Sequence, residues 1–391
     1  MGSAFQDYWS YYDENFDWRD TTALVRPDLE ATRKGFARIG LSSSEIEEYI
    51  TSGYVTVGND VVIDRFYGGP LLSSDMRSRI PFSRFLTARR SASNGTLVLG
   101  ASSISELMHH LDFFKRRSRG ELVYRGQTNS YTLGRARPNP FFEVAGIGEI
   151  SLVPSLWRVM RGRNPASFLP FQSLILFEWS HILYSGFDLA EIERRQDAIN
   201  RDGGWIHTAQ DMEDSDDPLL QAFGRVRLDL QYGLTYNLAD RLATLLQHYG
   251  LYSPVLDLTT DPEVALFFST HRFVRNKDRC TYEFVGTNQQ RSVLYVFEQR
   301  NSEIREYEHH RVLDYTRPSR PERQSCMICS SDPFCLNLAA EHLVGIIKLD
   351  FDLAGPGRFN MYDLFPPRSQ DKFLKALKTR LSRKAEVTEF P

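Results

Sequence analysis

The chain has no apolar run approaching the ~20 residues a membrane-spanning helix needs, which argues against an integral membrane protein. Its opening residues, among them Phe5, Asp7, Tyr8, Trp9, Asp13 and Glu14, lack a basic stretch followed by an apolar one. No secretory leader is expected from them, and the expected compartment is the cytoplasm. There is no excess of positive charge: 47 Lys and Arg stand against 50 Asp and Glu, for a net charge of -3. A strongly basic nucleic-acid or anionic-membrane binder is therefore not expected. Cysteine is scarce, with only four in the chain, Cys280, Cys326, Cys329 and Cys335. Cys326-Met327-Ile328-Cys329 lacks the second CxxC of a four-thiolate zinc site, and Met327-Ile328 reads as a buried strand, so plain buried thiols and no metal are expected. The acidic run Asp211, Glu213, Asp214, Asp216, Asp217 lacks the glycine and terminal glutamate of a calcium loop and reads as a solvated loop. Internal repeats, a Walker loop, Gly-x-Gly-x-x-Gly, Gly-x-Ser-x-Gly and His-Glu-x-x-His are all missing. With them go the common phosphotransferase, dehydrogenase, hydrolase and metalloprotease readings.

What remains is a chain of 391 residues, 41% hydrophobic and 25% charged, long enough for a full core and two structural units. Residues 1–100 read as an extension packed on a main domain spanning 101–391. They show a helix near Ser43 to Ile50 and a strand-turn-strand, Tyr54 to Val57 then Val61 to Ile63, but too little periodicity for a core of their own. Ser103-x-x-Glu106 and Asp188-x-x-Glu191 are capping boxes opening helices, the second running to about Arg201. Another helix is expected at about Phe171 to Ser185. Strands are expected at Glu121 to Arg125, Ser292 to Phe297, Ser325 to Cys329 and Leu343 to Phe351. A last helix opens at Ser369 and turns Phe373, Leu374, Leu377 and Leu381 inward.

The densest information lies between Gln247 and Phe268. Leu238, Leu242, Leu245, Leu246 and Tyr249 recur at helical spacing, and Gly250 stands where a helix ends in the left-handed conformation. Asp261-Pro262 marks the next helix start, a capping carboxylate before the residue best suited to the first turn. Between them lie Asp257, Thr259 and Thr260, polar side chains that a core strand carries only when they are hydrogen-bonded or at work. Upstream, the apolar strand of Leu122 and Val123 stops abruptly at Tyr124-Arg125-Gly126-Gln127.

That motif resembles the signature of the FRG-domain family, named for Phe/Tyr-Arg-Gly. Leu152-Val153-Pro154-Ser155-Leu156-Trp157-Arg158 resembles the family's Pro-Ser-Leu-x-Arg element, and Gln247-His248-Tyr249-Gly250-Leu251 its Gln-His-x-Gly-Leu. Leu256-Asp257-Leu258-Thr259 with Ala265-Leu266-Phe267-Phe268 is similar to its Leu-Leu-Asp-Trp-Thr and Ala-Leu-Phe-Phe segments, and Leu364-Phe365-Pro366 to its Leu-Phe-Pro. The resemblance runs over about residues 104 to 382. It departs at Ser253-Pro254, where a Thr-Arg pair is common in the family, and at Leu258, where Trp is usual. The family implies a domain of bacterial and phage-related proteins without a settled activity.

A second likeness is to the ADP-ribosyltransferases, in the order of an arginine strand, a Ser/Thr strand and a glutamate. It implies an α+β fold, a mainly antiparallel split sheet flanked by helices, with Arg125 and Thr259 at neighbouring strand ends facing one cleft. It implies NAD as substrate, held by Arg125 with Tyr124, Gly126, Gln127, Tyr249, Asp257 and Thr260, because a guanidinium fork grips phosphate or ribose bidentately. Thr259 and Thr260 would shape the nicotinamide pocket. The third element falls at Glu322-Arg323-Gln324-Ser325, where Gln324 carries no charge. The carboxylate the reaction needs is then Glu322, expected on the same strand face, or Glu298 or Glu341.

The leading expectation is an NAD-using effector, a bacterial toxin or anti-phage defence protein, acting on a protein or nucleic-acid acceptor. Its rivals are a noncatalytic sensor of a nucleotide or phage component and a metal-independent nuclease using His248. The bland alternatives are an Arg125–Asp257 ion pair, a capping role for Thr259 and Thr260, a cap and a surface ion pair in place of phosphate binding for Ser155 and Arg158, and a cap or loop tether for His248, whose charged form the helix dipole favours.

Overall fold

The computed structural model describes residues 28–57, 61–64, 79–81, 83, 85, 87, 95–155, 182–233, 239–250, 253, 255–276, 279–287, 289–300, 304–329, 337, 342–351 and 357–380. Leu156 to Arg158, most of the helix expected before Ser185, Cys335, Glu341 and Leu381 lie outside them.

Local sequence explains the first elements. Asp28 accepts hydrogen bonds from the amides of Glu30 and Ala31 to start helix α1 (Leu29–Arg38), and Ser42 and Glu45 form a reciprocal box at α2 (Ser43–Thr51). Strands β1 (Tyr54–Val57), β2 (Val61–Asp64) and β3 (Arg79–Pro81) follow as an antiparallel sheet. Phe36, Tyr49, Tyr54, Val62 and Phe85 bury one another beneath it. The sparse periodicity of this region thus conceals an aromatic core of its own. Four rings with neighbouring centroids 5.3 to 6.5 Å apart do the work that an aliphatic stripe does elsewhere.

The main sheet has seven strands in the order β13-β14-β9-β5-β12-β15-β4. These are β4 (Leu97–Ala101), β5 (Leu122–Gln127), β9 (Leu256–Thr259), β12 (Val293–Glu298), β13 (Ile304–Glu306), β14 (Cys326–Cys329) and β15 (Leu343–Leu349). Neighbours run antiparallel except β15 and β4, which run parallel. The architecture is α+β with a mainly antiparallel open sheet flanked by helices. Two short ribbons complete it: β6 (Thr132–Leu133), β7 (Glu143–Val144) and β8 (Gly148–Ile150) in the insert, and β10 (His271–Asn276) with β11 (Arg279–Phe284).

Both faces of the central strands are covered, so they read as nearly unbroken apolar runs. On one face Val123, Tyr295, Phe297 and Ile346 pack on Phe142, Val144 and Ile150 of the insert. On the other, Leu294, Val296 and Ile347 meet α3 (Ile104–Arg117) through Leu107, Leu111 and Phe114. A third cluster gathers the helical side of the molecule, α4 (Leu189–Arg201), α5 (Ala209–Glu213), α6 (Pro218–Gly233) and α7 (Ala239–His248), against β14. After β9 comes α8 (Pro262–Thr270), and the short α9 (Arg320–Arg323) and α10 (Met361–Leu364) precede the last helix, α11 (Lys372–Arg380).

Three local expectations need correction. The acidic run is not a loop: Thr208 and Asp211 box the start of α5, and Asp217 accepts from the amides of Leu219 and Leu220 at the start of α6. The last helix is capped by Asp371, whose carboxylate accepts from Leu374 N, and not by Ser369. Ser103 does cap α3, but Glu106 turns to Ser102, so that box is not reciprocal. The CxxC segment lies on β14 with Cys326 and Cys329 both buried, as a strand reading requires.

Candidate functional site

β5 and β9 are joined at one registered pair, Tyr124 opposite Thr259. Beyond it the strands part, and a cavity of about 130 Å³ opens there. It is lined by Tyr124, Arg125 and Gly126 from β5 and by Asp257, Leu258 and Thr259 from β9. Gln247 and His248 reach it from the end of α7, Val264 and Phe268 from α8, Tyr282 from β11, and Gln324 from the C-cap of α9. At about 30 Å³ per water, the space equals roughly four waters, or one small ring.

Each wall has a local cause. α7 ends where Gly250 takes φ +86°, turning the chain so that Gln247 and His248 stay at the helix mouth. Asp261 accepts from Glu263 N and Pro262 occupies the first turn, so α8 starts immediately after β9. α8 then crosses β5 so closely that a Cβ on Gly126 would overlap the backbone oxygen of Ala265. What approaches that glycine is therefore a helix backbone.

Arg125 and Asp257 form the ion pair at the centre. Arg125 Nη1 donates to Asp257 Oδ1 at 2.7 Å and to the Asp257 backbone oxygen at 2.5 Å. Gln247 Nε2 donates to the same Oδ1 at 3.2 Å, and Ser155 Oγ donates to Gln247 Oε1 at 3.0 Å. Ser155 is held in turn by the amide of Ser253 at 2.9 Å, so it braces the site instead of facing it. Only one nitrogen of the guanidinium is spent: Arg125 Nε is buried with no hydrogen-bond partner among the described residues. Burial raises the Asp257 carboxyl, but the Arg125 guanidinium, His248 and its hydrogen bonds outweigh burial and hold it below the usual carboxylate range.

The remaining groups divide between lining and support. Thr259 Oγ1 donates to the Gln324 backbone oxygen at 2.8 Å and accepts from Asp261 N at 3.1 Å, so its hydroxyl ties two walls together. Thr260 is exposed and does not line the cavity. Gln324 Nε2 donates to Leu364 O at 3.1 Å, fixing its amide beside His248. Glu322 sits on the short helix α9, exposed, not on a strand face shared with Gln324. Pro321 in the first turn is the signal that favours a helix there. Glu298 is occupied by Ser118, the amide of Arg119 and Arg300, away from the cavity. Asp257 is thus the one carboxylate among the described lining residues. Gln127 is half-buried outside the lining, its Oε1 without a partner among the described residues.

His248 is neutral, contrary to the helix-dipole argument. Burial pushes its imidazole down to about 4, Asp257 opposing, and its Nε2 lies 3.1 Å from Cys326 Sγ. Tyr249 is fully buried behind the wall: its hydroxyl donates to Asp371 Oδ2 at 2.5 Å, and the Arg320 guanidinium lies 4.4 Å from its ring centroid. Arg320, itself fully buried, also donates to His248 O at 3.0 Å. Sequence reasoning missed this arginine, and missed Tyr282 and Phe268 as walls. A buried arginine two helices away leaves no local signal, and Tyr282 is one aromatic among several on an alternating ribbon. Burial pushes the Tyr282 phenol well up.

A family model described as the FRG domain matches residues 189–278, from α4 through β10. Those residues are similar to the FRG domain, and the match contains Gln247 to Gly250 and Leu256 to Phe268 while Arg125 lies before it. No curated protein and no solved structure matches the chain.

Proposed function

We propose that the chain is an NAD-using, ADP-ribosyltransferase-like effector whose cavity receives the nicotinamide and ribose end of the dinucleotide. The observation that carries this reading is the convergence of Arg125 and Thr259, far apart in the chain, on one aromatic-walled cavity in which half of the guanidinium is unspent. The size of the space favours one ring and not a whole dinucleotide, so the adenosine end lies outside. Tyr124, Phe268 and Tyr282 line the space with aromatic rings, and the Arg125 guanidinium beside them is suited to donate to an amide or ribose oxygen. Because Asp257 already neutralises Arg125, the pair suits an uncharged hydrogen-bonding group better than a pyrophosphate. A protein or nucleic-acid acceptor and a toxin or anti-phage role belong to the same proposal. Incubating the purified chain with NAD labelled in its adenosine half and a cell lysate tests it. Labelled macromolecule or released nicotinamide is expected; neither, with no NAD binding by calorimetry, overturns it.

One observation favours a noncatalytic sensor. The position where motif order places the acid holds the amide of Gln324, and Glu322 beside it points to solvent. On that reading NAD or a related nucleotide raises the melting temperature of the wild type, not of Arg125→Ala, and no product forms.

A further inference from the structure

We propose that Asp257 is the carboxylate that stabilises the ribosyl cation, taking the part that motif order assigns to the position of Gln324; this rests on the NAD reading above. The geometry is specific. Asp257 and Thr259 are two apart on β9 and so project from one face of the strand, toward the cavity both line. Oδ1 is saturated by Arg125 Nη1 and Gln247 Nε2, which fixes the plane of the carboxylate. Oδ2 makes no hydrogen bond among the described residues, and the side chain keeps 23% of its surface accessible. A carboxylate with one oxygen anchored and the other open to a small cavity is poised to accept from a ribose hydroxyl.

The chemistry needs a charge where the amide of Gln324 has none. The bond between ribose C1′ and the nicotinamide nitrogen breaks, its electron pair leaves with nicotinamide, and C1′ gains oxocarbenium character. Water or the acceptor's nucleophile then bonds to C1′ and releases its proton to solvent; nothing is oxidised or reduced. Asp257 stays ionised throughout, its hydrogen bond to the ribose hydroxyl strengthening as positive charge develops. Arg125 has two effects in this arrangement. It keeps the buried carboxylate ionised, as Asp257's lowered pKa requires, and it offsets part of the negative field, so turnover is slow. Gln247 is a positioning residue: it touches Asp257 and not the reacting bond.

The test is steady-state release of nicotinamide from NAD, with NAD affinity measured separately by calorimetry. Asp257→Asn is expected to lower kcat on the order of a hundredfold or more while NAD affinity changes only a few-fold. Gln247→Ala is expected to lower kcat by roughly tenfold with KM unchanged, a split that a merely structural role would not produce. Wild-type turnover with full kcat in a folded Asp257→Asn overturns the assignment and leaves the NAD reading standing. A wild type that neither binds nor cleaves NAD removes both. If Asp257→Asn does not fold, the Gln247→Ala split decides: an unchanged kcat, or a raised KM alone, overturns the assignment.

Discussion

Arg125 and Arg135 are both largely buried, at 16% and 10% side-chain exposure, yet they are used in opposite ways. Arg135 spends its whole fork. Nε and Nη2 take the two oxygens of Glu149, Nη1 and Nη2 take the two oxygens of Asp64, and Nη1 also donates to Ser52 O. Its Cζ lies 4.7 Å from the ring centroid of Tyr54, and Asn139 closes the network through its backbone and side-chain amides. Asp64 belongs to the N-terminal sheet and Glu149 to the insert, so this cluster fastens the first region to the main body. Arg125, which lines a cavity, spends one nitrogen, and its buried Nε has no partner among the described residues. A buried arginine with every donor matched is a fastener. One with donors left over among the described residues is the arginine on which the NAD proposal rests.

Breaking the fastener should cost most. Arg135→Ala leaves Asp64 and Glu149 buried beside each other without a cation, and a loss of about 3–5 kcal/mol is expected in urea unfolding, with the first region released. Arg125→Ala strands only Asp257, which keeps Gln247 and partial exposure. A loss smaller than that of Arg135→Ala is expected in the same assay, together with complete loss of the NAD-induced rise in melting temperature. An equal stability loss in the two variants would erase the distinction.

A pH scan sharpens the comparison from the cavity side. The folded His248 pKa, about 4, lies below its ordinary value of 6.5, so the unfolded chain binds the proton more tightly. The stabilising preference for neutral imidazole is fully present above about pH 6.5 and is lost as pH falls toward 4, a change of about 3 kcal/mol. His248→Gln should flatten that segment of the stability curve. Asp257 acts below this window, because its carboxyl is lowered, and its contribution is lost only as pH falls further.

Two smaller effects follow. Gly126→Ala pushes a methyl into the backbone of α8, and a cost of about 1–3 kcal/mol is expected, with NAD affinity reduced because the cavity wall shifts. Tyr249→Phe removes one of the bonds to the buried Asp371, which retains Ser319 and the amide of Leu374. About 1–2 kcal/mol is expected by urea unfolding.

Much of the scaffold was legible because it is written in short-range code. Asp261-Pro262, Gly250 and the N-terminal hairpin announced themselves through capping and turn chemistry, and the central strands through apolar runs. The centre of the site was legible for a related reason: Arg125, Asp257 and Thr259 are polar groups at the ends of apolar strands, where burial without partners is expensive. Glu322 was misplaced because spacing was counted from a strand that begins only at Cys326, after Pro321 has opened a helix. The charge state of His248 was misread because the helix dipole is a local term and burial is a tertiary one. Tyr282, Phe268 and Arg320 enter the site through packing between distant segments, which no single stretch of sequence encodes.

The hold of Leu364 on Gln324 and of Asp371 on Tyr249 sets an order of events during synthesis. A ribosome that has made the chain only as far as residue 360 has already released both strands of the hollow, but not the carbonyl and carboxylate that steady its back. The pocket therefore cannot be finished before Leu364 and Asp371 have been made, and a stop between Phe351 and Leu364 would spare the sheet while leaving that hollow unbraced.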